Sequence, residues 1–191
     1  MKIEKYIEII NFAENLKNNT RHSWTSTGRR ESVAEHSWRL SVMAYFIKDE
    51  FPDIDLGKLI LMCIFHDLGE AITGDIPSFE KKQEDSIKEE KELYKYLDTL
   101  PQPYKKELKE LFDEMIAMET FEAKLHKALD KMEAVIQHNS SDLSTWIPLE
   151  YSLNQTYGEK ECQMSKYTAK LRQYLKETTV KKIADDEDKK I

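Results

Sequence analysis

The run Leu56-Gly57-Lys58-Leu59-Ile60-Leu61-Met62-Cys63-Ile64-Phe65-His66-Asp67-Leu68-Gly69-Glu70-Ala71 decides how this chain is read. Apolar residues cover nearly its whole circumference, so it predicts a central, buried helix with Leu59, Cys63, His66 and Glu70 on one stripe. Pro52 stops the preceding segment, and Asp53 or Asp55 can cap the new helix. Helical periodicity continues in both directions. Residues 3 to 17 set Ile3, Ile7, Ile10, Ala13 and Leu16 on one side, with Tyr6 and Ile9 beside them. Ala34 to Glu50 carries His36, Leu40, Met43 and Ile47 at 4-3-4 spacing. Residues 84 to 100 and 104 to 118 read as charged amphipathic helices about Leu100-Pro101-Gln102-Pro103, residues 120 to 139 as another, and residues 159 to 178 as the last. Residues 18 to 33 break the pattern and predict a loop, and Thr73-Gly74-Asp75-Ile76-Pro77 predicts a turn. The expected fold is all-α: one helical bundle over residues 1–178, followed by a charged, frayed tail at 179–191.

Composition narrows the class. The 191 residues suit one domain, and 40% apolar with 34% charged residues is a globular mixture. Five Gly and five Pro are too few for the turns of an all-β sandwich or barrel. The net charge of −7 gives no basic footprint for nucleic acid, so none is expected as a partner. Leu59 to Phe65, the longest apolar run, is too short to span a bilayer, and no membrane partner is expected. No glycine-rich phosphate loop of the common kinds is present. The first residues lack the apolar core of a signal peptide, and Cys63 and Cys162 do not read as a disulfide framework. A reducing, cytoplasmic setting is the expectation.

Chemistry enters at His66-Asp67. Neighbours on a helix point about 100° apart, but at its last turn both side chains can converge on a point beside its end. A carboxylate placed directly after Met62-Cys63-Ile64-Phe65 needs a cation or several donors once buried. His36 shares the stripe of Leu40, Met43 and Ile47 and so faces the core from a different helix. Two inward imidazoles and a carboxylate form a set that one divalent metal satisfies together. Separate histidines with private partners are the plainer alternative. Spacing leaves a fourth ligand open. Asp130 lies off the stripe of Leu125, Ala128, Leu129, Met132, Val135 and Ile136, on a second face with Ala123, Ala134 and Gln137, and periodicity also admits Glu133 and Asp142. Glu70, one turn beyond His66, can orient a water or exchange its proton, or be an ordinary helix-end residue. Asp75 reads equally as a turn residue. Trp146 reads as a core or dimer-contact anchor, Tyr94, Tyr96 and Tyr104 as packing or surface residues, and His126 and His138 as surface residues.

Three motifs in order carry a family resemblance: Ser32-Val33-Ala34-Glu35-His36-Ser37, His66-Asp67-Leu68-Gly69-Glu70-Ala71-Ile72-Thr73-Gly74-Asp75-Ile76-Pro77, and Ala128-Leu129-Asp130-Lys131. The chain resembles the HD-domain metal-dependent phosphohydrolases, most of all their 5′-deoxynucleotidase branch, over about residues 15–145. The resemblance implies an all-helical, commonly homodimeric enzyme that uses a divalent transition metal such as Mn²⁺, Co²⁺ or Fe²⁺ on nucleoside 5′-monophosphates. It implies metal ligands at His36, His66, Asp67 and Asp130, a glutamate beside the reacting phosphate at Glu70, and a sugar-side aspartate at Asp75. It implies a phosphate-gripping arginine at Arg21. The tryptophan that helps hold the nucleotide follows that arginine directly in some relatives, where this chain has His22, and Trp24, two positions on, is the residue expected to bind substrate in that role. Arg21, Arg29, Arg30 and the metal could form a local positive mouth on an acidic protein, although Arg29 and Arg30 also read as a solvated loop. The competing expectations are another HD-type nucleotide phosphohydrolase (a pyrophosphohydrolase or phosphodiesterase) and a non-catalytic, metal-stabilised helical interaction module.

Overall fold

Asp55 starts the central helix: its carboxylate accepts the Lys58 N–H at 3.0 Å. In the computed structural model, which describes residues 1–188, that helix does not run to Ala71. It is α3 (Leu56–Phe65), and the chain then turns tightly through His66-Asp67-Leu68-Gly69 into the single turn of α4 (Glu70–Thr73). Before it come α1 (Ile3–Asn18), a hairpin of β1 (Thr20–Trp24) and β2 (Arg30–Ser32), and α2 (Val33–Phe46). After it come α5 (Gln83–Asp98), α6 (Tyr104–Ala117), α7 (Phe121–Ser140), α8 (Glu150–Thr156), α9 (Glu159–Cys162) and α10 (Lys166–Asp188). None of the described helices is long and apolar enough to cross a membrane.

One core lies where α2, α3, α7 and α10 meet, with Leu40, Ala44, Leu59, Cys63, Leu125, Leu129, Met132 and Leu175 all buried. A second lies under α1, α5 and α6, around Leu16, Val33, Leu68, Leu93, Leu97 and Phe112. Each fully buried Leu of this kind contributes roughly 1.5–3 kcal/mol relative to exposure. Three expectations need correction here. Residues 18 to 33 form an antiparallel hairpin, not a loop, so the molecule is helical with one small sheet. The inward stripe of α1 is Ile9, Phe12 and Leu16, and Ile3, Ile7 and Ile10 are left outside, because α1 lies over the bundle on one side only. The central helix is also one-sided: Leu59, Met62 and Cys63 are buried, whereas Leu61 and Ile64 stay exposed.

The C-terminal third differs most. The last predicted helix divides at Gln163-Met164-Ser165 into α9 and α10, and α10 continues through residues expected to fray, with Thr179 fully buried. Residues 189–191 of the expected tail lie outside the described residues. Arg172 on α10 explains how the preceding segment is held: buried itself, it donates from Nε to the Tyr157 carbonyl at 2.7 Å and from Nη2 to the Asn154 carbonyl at 2.9 Å. Gly158 completes the seam. Its φ is +76°, and a Cβ there would stand 2.5 Å from Lys131 Cβ, so only glycine lets this turn lie against α7.

Candidate active site

The hairpin supplies the first wall. Its ladder pairs Thr20 with Ser32 and Trp24 with Arg30, so Arg21, His22 and Ser23 stand against Glu31 alone. Such a bulge bends a strand and re-aims its side chains, and here all three border one cavity. Ser23 Oγ donates to Glu31 Oε2 at 2.9 Å, and Arg21 Nε lies 3.4 Å from the same oxygen. Trp24 does not border the cavity. The Arg30 guanidinium lies 4.5 Å over its ring, and His22 is the neighbour that faces the cavity instead. Arg29 also points elsewhere, paired with Glu35 at 2.5 and 2.9 Å, so neither Arg29 nor Arg30 contributes to a positive mouth. That role falls to Arg21, Lys81, Lys127 and Lys131.

A capping box between Ser32 and Glu35 starts α2 and sends the His36 ring inward, where it is fully buried. His66 caps the end of α3, and the turn that follows brings Asp67 beside it. Asp130 comes from α7. His36 Nε2 lies 3.3 Å from Asp130 Oδ1 and 3.8 Å from Asp67 Oδ2, and His66 Nε2 lies 3.0 Å from Asp67 Oδ2 and 3.9 Å from Asp130 Oδ1. Neither Nε2 makes an aligned hydrogen bond. Each Nδ1 is occupied on the far side: His36 against Glu133 Oε2 at 2.5 Å, and His66 against the Cys63 carbonyl at 3.0 Å. This is the arrangement that fixes a ligand imidazole, with the outer nitrogen bonded and the inner nitrogen facing the other ligand atoms. A transition-metal ion holds N and O ligands at about 2.0–2.2 Å, which separates neighbouring ligand atoms by roughly 3 Å, so the set fits a divalent cation.

The electrostatics point the same way. Glu31, Asp67, Asp130 and Glu133 surround one buried imidazole. Burial and the Arg21 charge oppose protonation of His36, but Glu133 and Asp130 outweigh them and hold its pKa at about 10. Burial raises Asp67 and Asp130, yet both stay well below the usual carboxylate range. His66, His36 and Arg21 outweigh it at Asp67, and Lys127 with the two imidazoles at Asp130. The centre carries a surplus of negative charge that a cation would neutralise. Glu70 is the opposite case. It is buried with Oε2 unpartnered, and burial, Asp67 and Asp75 push it up to about 9. Asp75 is also raised, first by burial, against the lowering charge of Arg21. Both border the cavity, which encloses about 890 Å³ including its open mouth.

Several residues escape the sequence reading. Glu133 was one of three open choices, and it lies behind His36. Stepping from Asp130 by helical repeats along α7 reaches Lys127, Ala134 and His138, all of which border the cavity. His126 and His138 are not surface residues. His126 is buried edge-on to His66 at 4.9 Å, and burial with the His66 charge pushes it down to about 3, so it packs as a neutral ring. His138 is pushed down to about 4 by burial and by His22. Glu31, Lys81 and the α8 residues gave no periodic signal.

Comparison with known proteins now adds family. A family model described as HD domain matches residues 13–172. The chain is 33% identical over 135 residues to 5′-deoxynucleotidase HDDC2 of Homo sapiens, covering 69% of this chain and 65% of that protein, so it matches less than two thirds of that relative's length. It is 31% identical over 145 residues to 5′-deoxynucleotidase HDDC2 of Dictyostelium discoideum, covering 71% and 76%. Among solved structures, the PH0347 protein of Pyrococcus horikoshii aligns with a TM-score of 0.71 at 28% identity, covering 90% of this chain and 99% of that one. A predicted metal-dependent phosphohydrolase of Magnetospirillum magnetotacticum shares the fold with a TM-score of 0.77 at 23% identity, covering 93% and 92%.

Two outcomes follow from this geometry. Glu133→Gln, which keeps the shape but loses the charge behind His36, should weaken Mn²⁺ affinity by about 10–100-fold, read by calorimetry, and an unchanged affinity would remove Glu133 from the site. In the metal-free protein Glu70 keeps its proton up to about 9, while the unfolded chain releases it near the ordinary 4.5. Between those values the folded state binds more protons, so stability is full below 4.5 and falls as pH rises. Glu70→Gln removes that loss and, with chelator at pH 8, should melt at least about 3 °C higher than the parent, the shift that roughly 1 kcal/mol gives at this size. At pH 4 the two should melt alike.

Proposed function

This chain belongs to the HD-domain family, and on that premise we propose that it is a metal-dependent phosphoric monoester hydrolase removing the 5′-phosphate of (deoxy)ribonucleoside monophosphates. His36, His66, Asp67 and Asp130 hold one divalent transition-metal ion, of the class Mn²⁺, Co²⁺ or Fe²⁺. Arg21 carries the reading. Its guanidinium stands 3.5 Å from Asp67 Oδ2 at the edge of the ligand set, and neighbouring carboxylates keep it charged despite burial. A planar fork there meets two oxygens of a phosphate and stabilises charge developing on it. The relatives' printed activity, 5′-deoxynucleotidase, supports the substrate class.

The bound ion would supply Lewis-acid polarisation of a phosphate oxygen and a lowered pKa for water. Hydrolysis makes one bond from water oxygen to phosphorus and breaks the bond from phosphorus to O5′, and the proton from water ends on O5′. Glu70 carries that proton, accepting it as a carboxylate and returning it to the leaving oxygen. Its carboxylate form is favoured once a cation stands nearby. Asp75 accepts a hydrogen bond from the sugar 3′-hydroxyl and crowds a 2′-hydroxyl. His22, which borders the cavity, packs on the nucleoside in place of Trp24.

We further read the enzyme as a cytoplasmic homodimer. Cys63 and Cys162 are free and buried, which suits a reducing compartment. Trp38, Tyr45 and Phe46 on α2, with Leu61 and Ile64 on α3, leave these adjacent helices apolar on their outer side, the composition of a dimer surface.

Metal-stripped protein reloaded with Mn²⁺ or Co²⁺ should release phosphate from dAMP and, more slowly, from AMP. Di-, tri- and cyclic nucleotides should stay intact; their cleavage instead would favour a pyrophosphohydrolase or phosphodiesterase. Asp67→Ala should bring release to background, and Glu70→Gln should lower kcat by about 10²–10⁴-fold. No release from any monophosphate under any metal sinks the reading. In light scattering the parent should have twice the chain mass and Phe46→Asp the chain mass alone; a monomeric parent rules out the dimer.

A further inference from the structure

The far half of the cavity has no part in the phosphate chemistry. There α8 sets Glu150 and Asn154 one helical turn apart on the same face, both bordering the cavity and only 1% and 3% exposed. Glu150 uses Oε2 to accept the Ile147 N–H at 2.8 Å. Its Oε1 lies within ion-pair distance of the Nε2 atoms of His22 and His138, at 3.1 and 3.4 Å, but neither makes an aligned hydrogen bond to it. Asn154 Nδ2, a donor, has no partner either. Leaving a buried acceptor or donor unmade costs about 1–3 kcal/mol each, and two such groups side by side on one cavity wall fit a missing third party. They are not loose. Arg172 clamps the Asn154 and Tyr157 carbonyls, and three rings also border the cavity: His22, edge-on to Phe79 at 5.4 Å, and Tyr157.

We propose that Glu150 and Asn154 form the nucleobase-binding end of this cavity, Glu150 Oε1 accepting a base N–H and Asn154 Nδ2 donating to the acceptor next to it. Every nucleobase carries that pair on its pairing edge: an amino group beside a ring nitrogen in adenine and cytosine, a ring N–H beside a carbonyl in guanine and thymine. One acceptor and one donor therefore demand a base without selecting among the four. The rings of His22, Phe79 and Tyr157, which border the cavity, offer apolar surface to a heterocycle. This inference rests on the phosphohydrolase reading, because it takes the phosphate to lie at Arg21.

The test compares dAMP with 2-deoxyribose 5-phosphate, which keeps the sugar and phosphate but has no base. Asn154→Leu and Glu150→Gln should each lower kcat/KM for dAMP about tenfold or more, through KM, relative to the loss on the base-free substrate. Turnover of that substrate also certifies that each variant folds. Equal losses on the two substrates would mean that α8 only supports the fold and would overturn the proposal. Calorimetry of the same proteins with dAMP reads binding without turnover. A tenfold loss of affinity in both variants supports the base contact even if no phosphate is ever released, an outcome that sinks the phosphohydrolase reading alone. Unchanged affinity sinks the base contact.

Discussion

Four carboxylates, from Glu31, Asp67, Asp130 and Glu133, converge on the one fully buried imidazole of His36, and the architecture is organised around meeting that charge. A cluster of like charges in a low-dielectric interior is unfavourable unless cations are fixed among them. The chain supplies Arg21 from the hairpin and Lys127 from α7, each drawn in by the carboxylates it neutralises. The remainder is left for a divalent ion. Because α2, the end of α3, α7 and the hairpin each deliver part of this centre, the helices cannot shift independently without separating opposite charges. Packing of Leu40, Leu59 and Leu129 stabilises the bundle, but the charge balance constrains how its elements face one another.

What the sequence discloses and what it hides follow from this. The helices were legible because their apolar periodicity is imposed by one long core, and the ends of α5, α6 and α7 fall within a few residues of the expected ones. The break of α3 at His66 was not legible, since its apolar stripe continues to Leu68 while the backbone already turns to bring Asp67 beside His66. The hairpin was hidden by short strands with no alternating pattern. On α7, a single helix does two jobs: one face packs Leu125, Leu129 and Met132, and the other carries Lys127, Asp130 and His138. Spacing alone could mark that second face but could not choose Asp130 over Glu133. Glu133 lies behind His36 rather than in front of it, a distinction of depth that periodicity does not contain.

The cavity joins two ends of different origin. Its charged end is built from segments with recognisable motifs, while α8 and the Arg172 clamp come from a region without any. Burial explains the contrast. Metal-type ligands need particular atoms at fixed separations, which leaves a motif, whereas a wall that offers one acceptor and one donor can be built from many sequences. Gly158 is the exception in that region, because the approach of its turn to Lys131 tolerates no side chain.

The three-against-one pairing of β1 and β2 has a consequence for how such a site can vary over generations. Substitution at Arg21, His22 or Ser23 changes one contact. Loss or gain of one residue in β1 would instead rotate the strand by a pleat, carrying a charged neighbour to where a packing group belongs and the reverse. The segment between Thr20 and Trp24 is therefore constrained in length even where it is free in composition, and chains that diverge here should do so by exchange of letters, never by a change in their number.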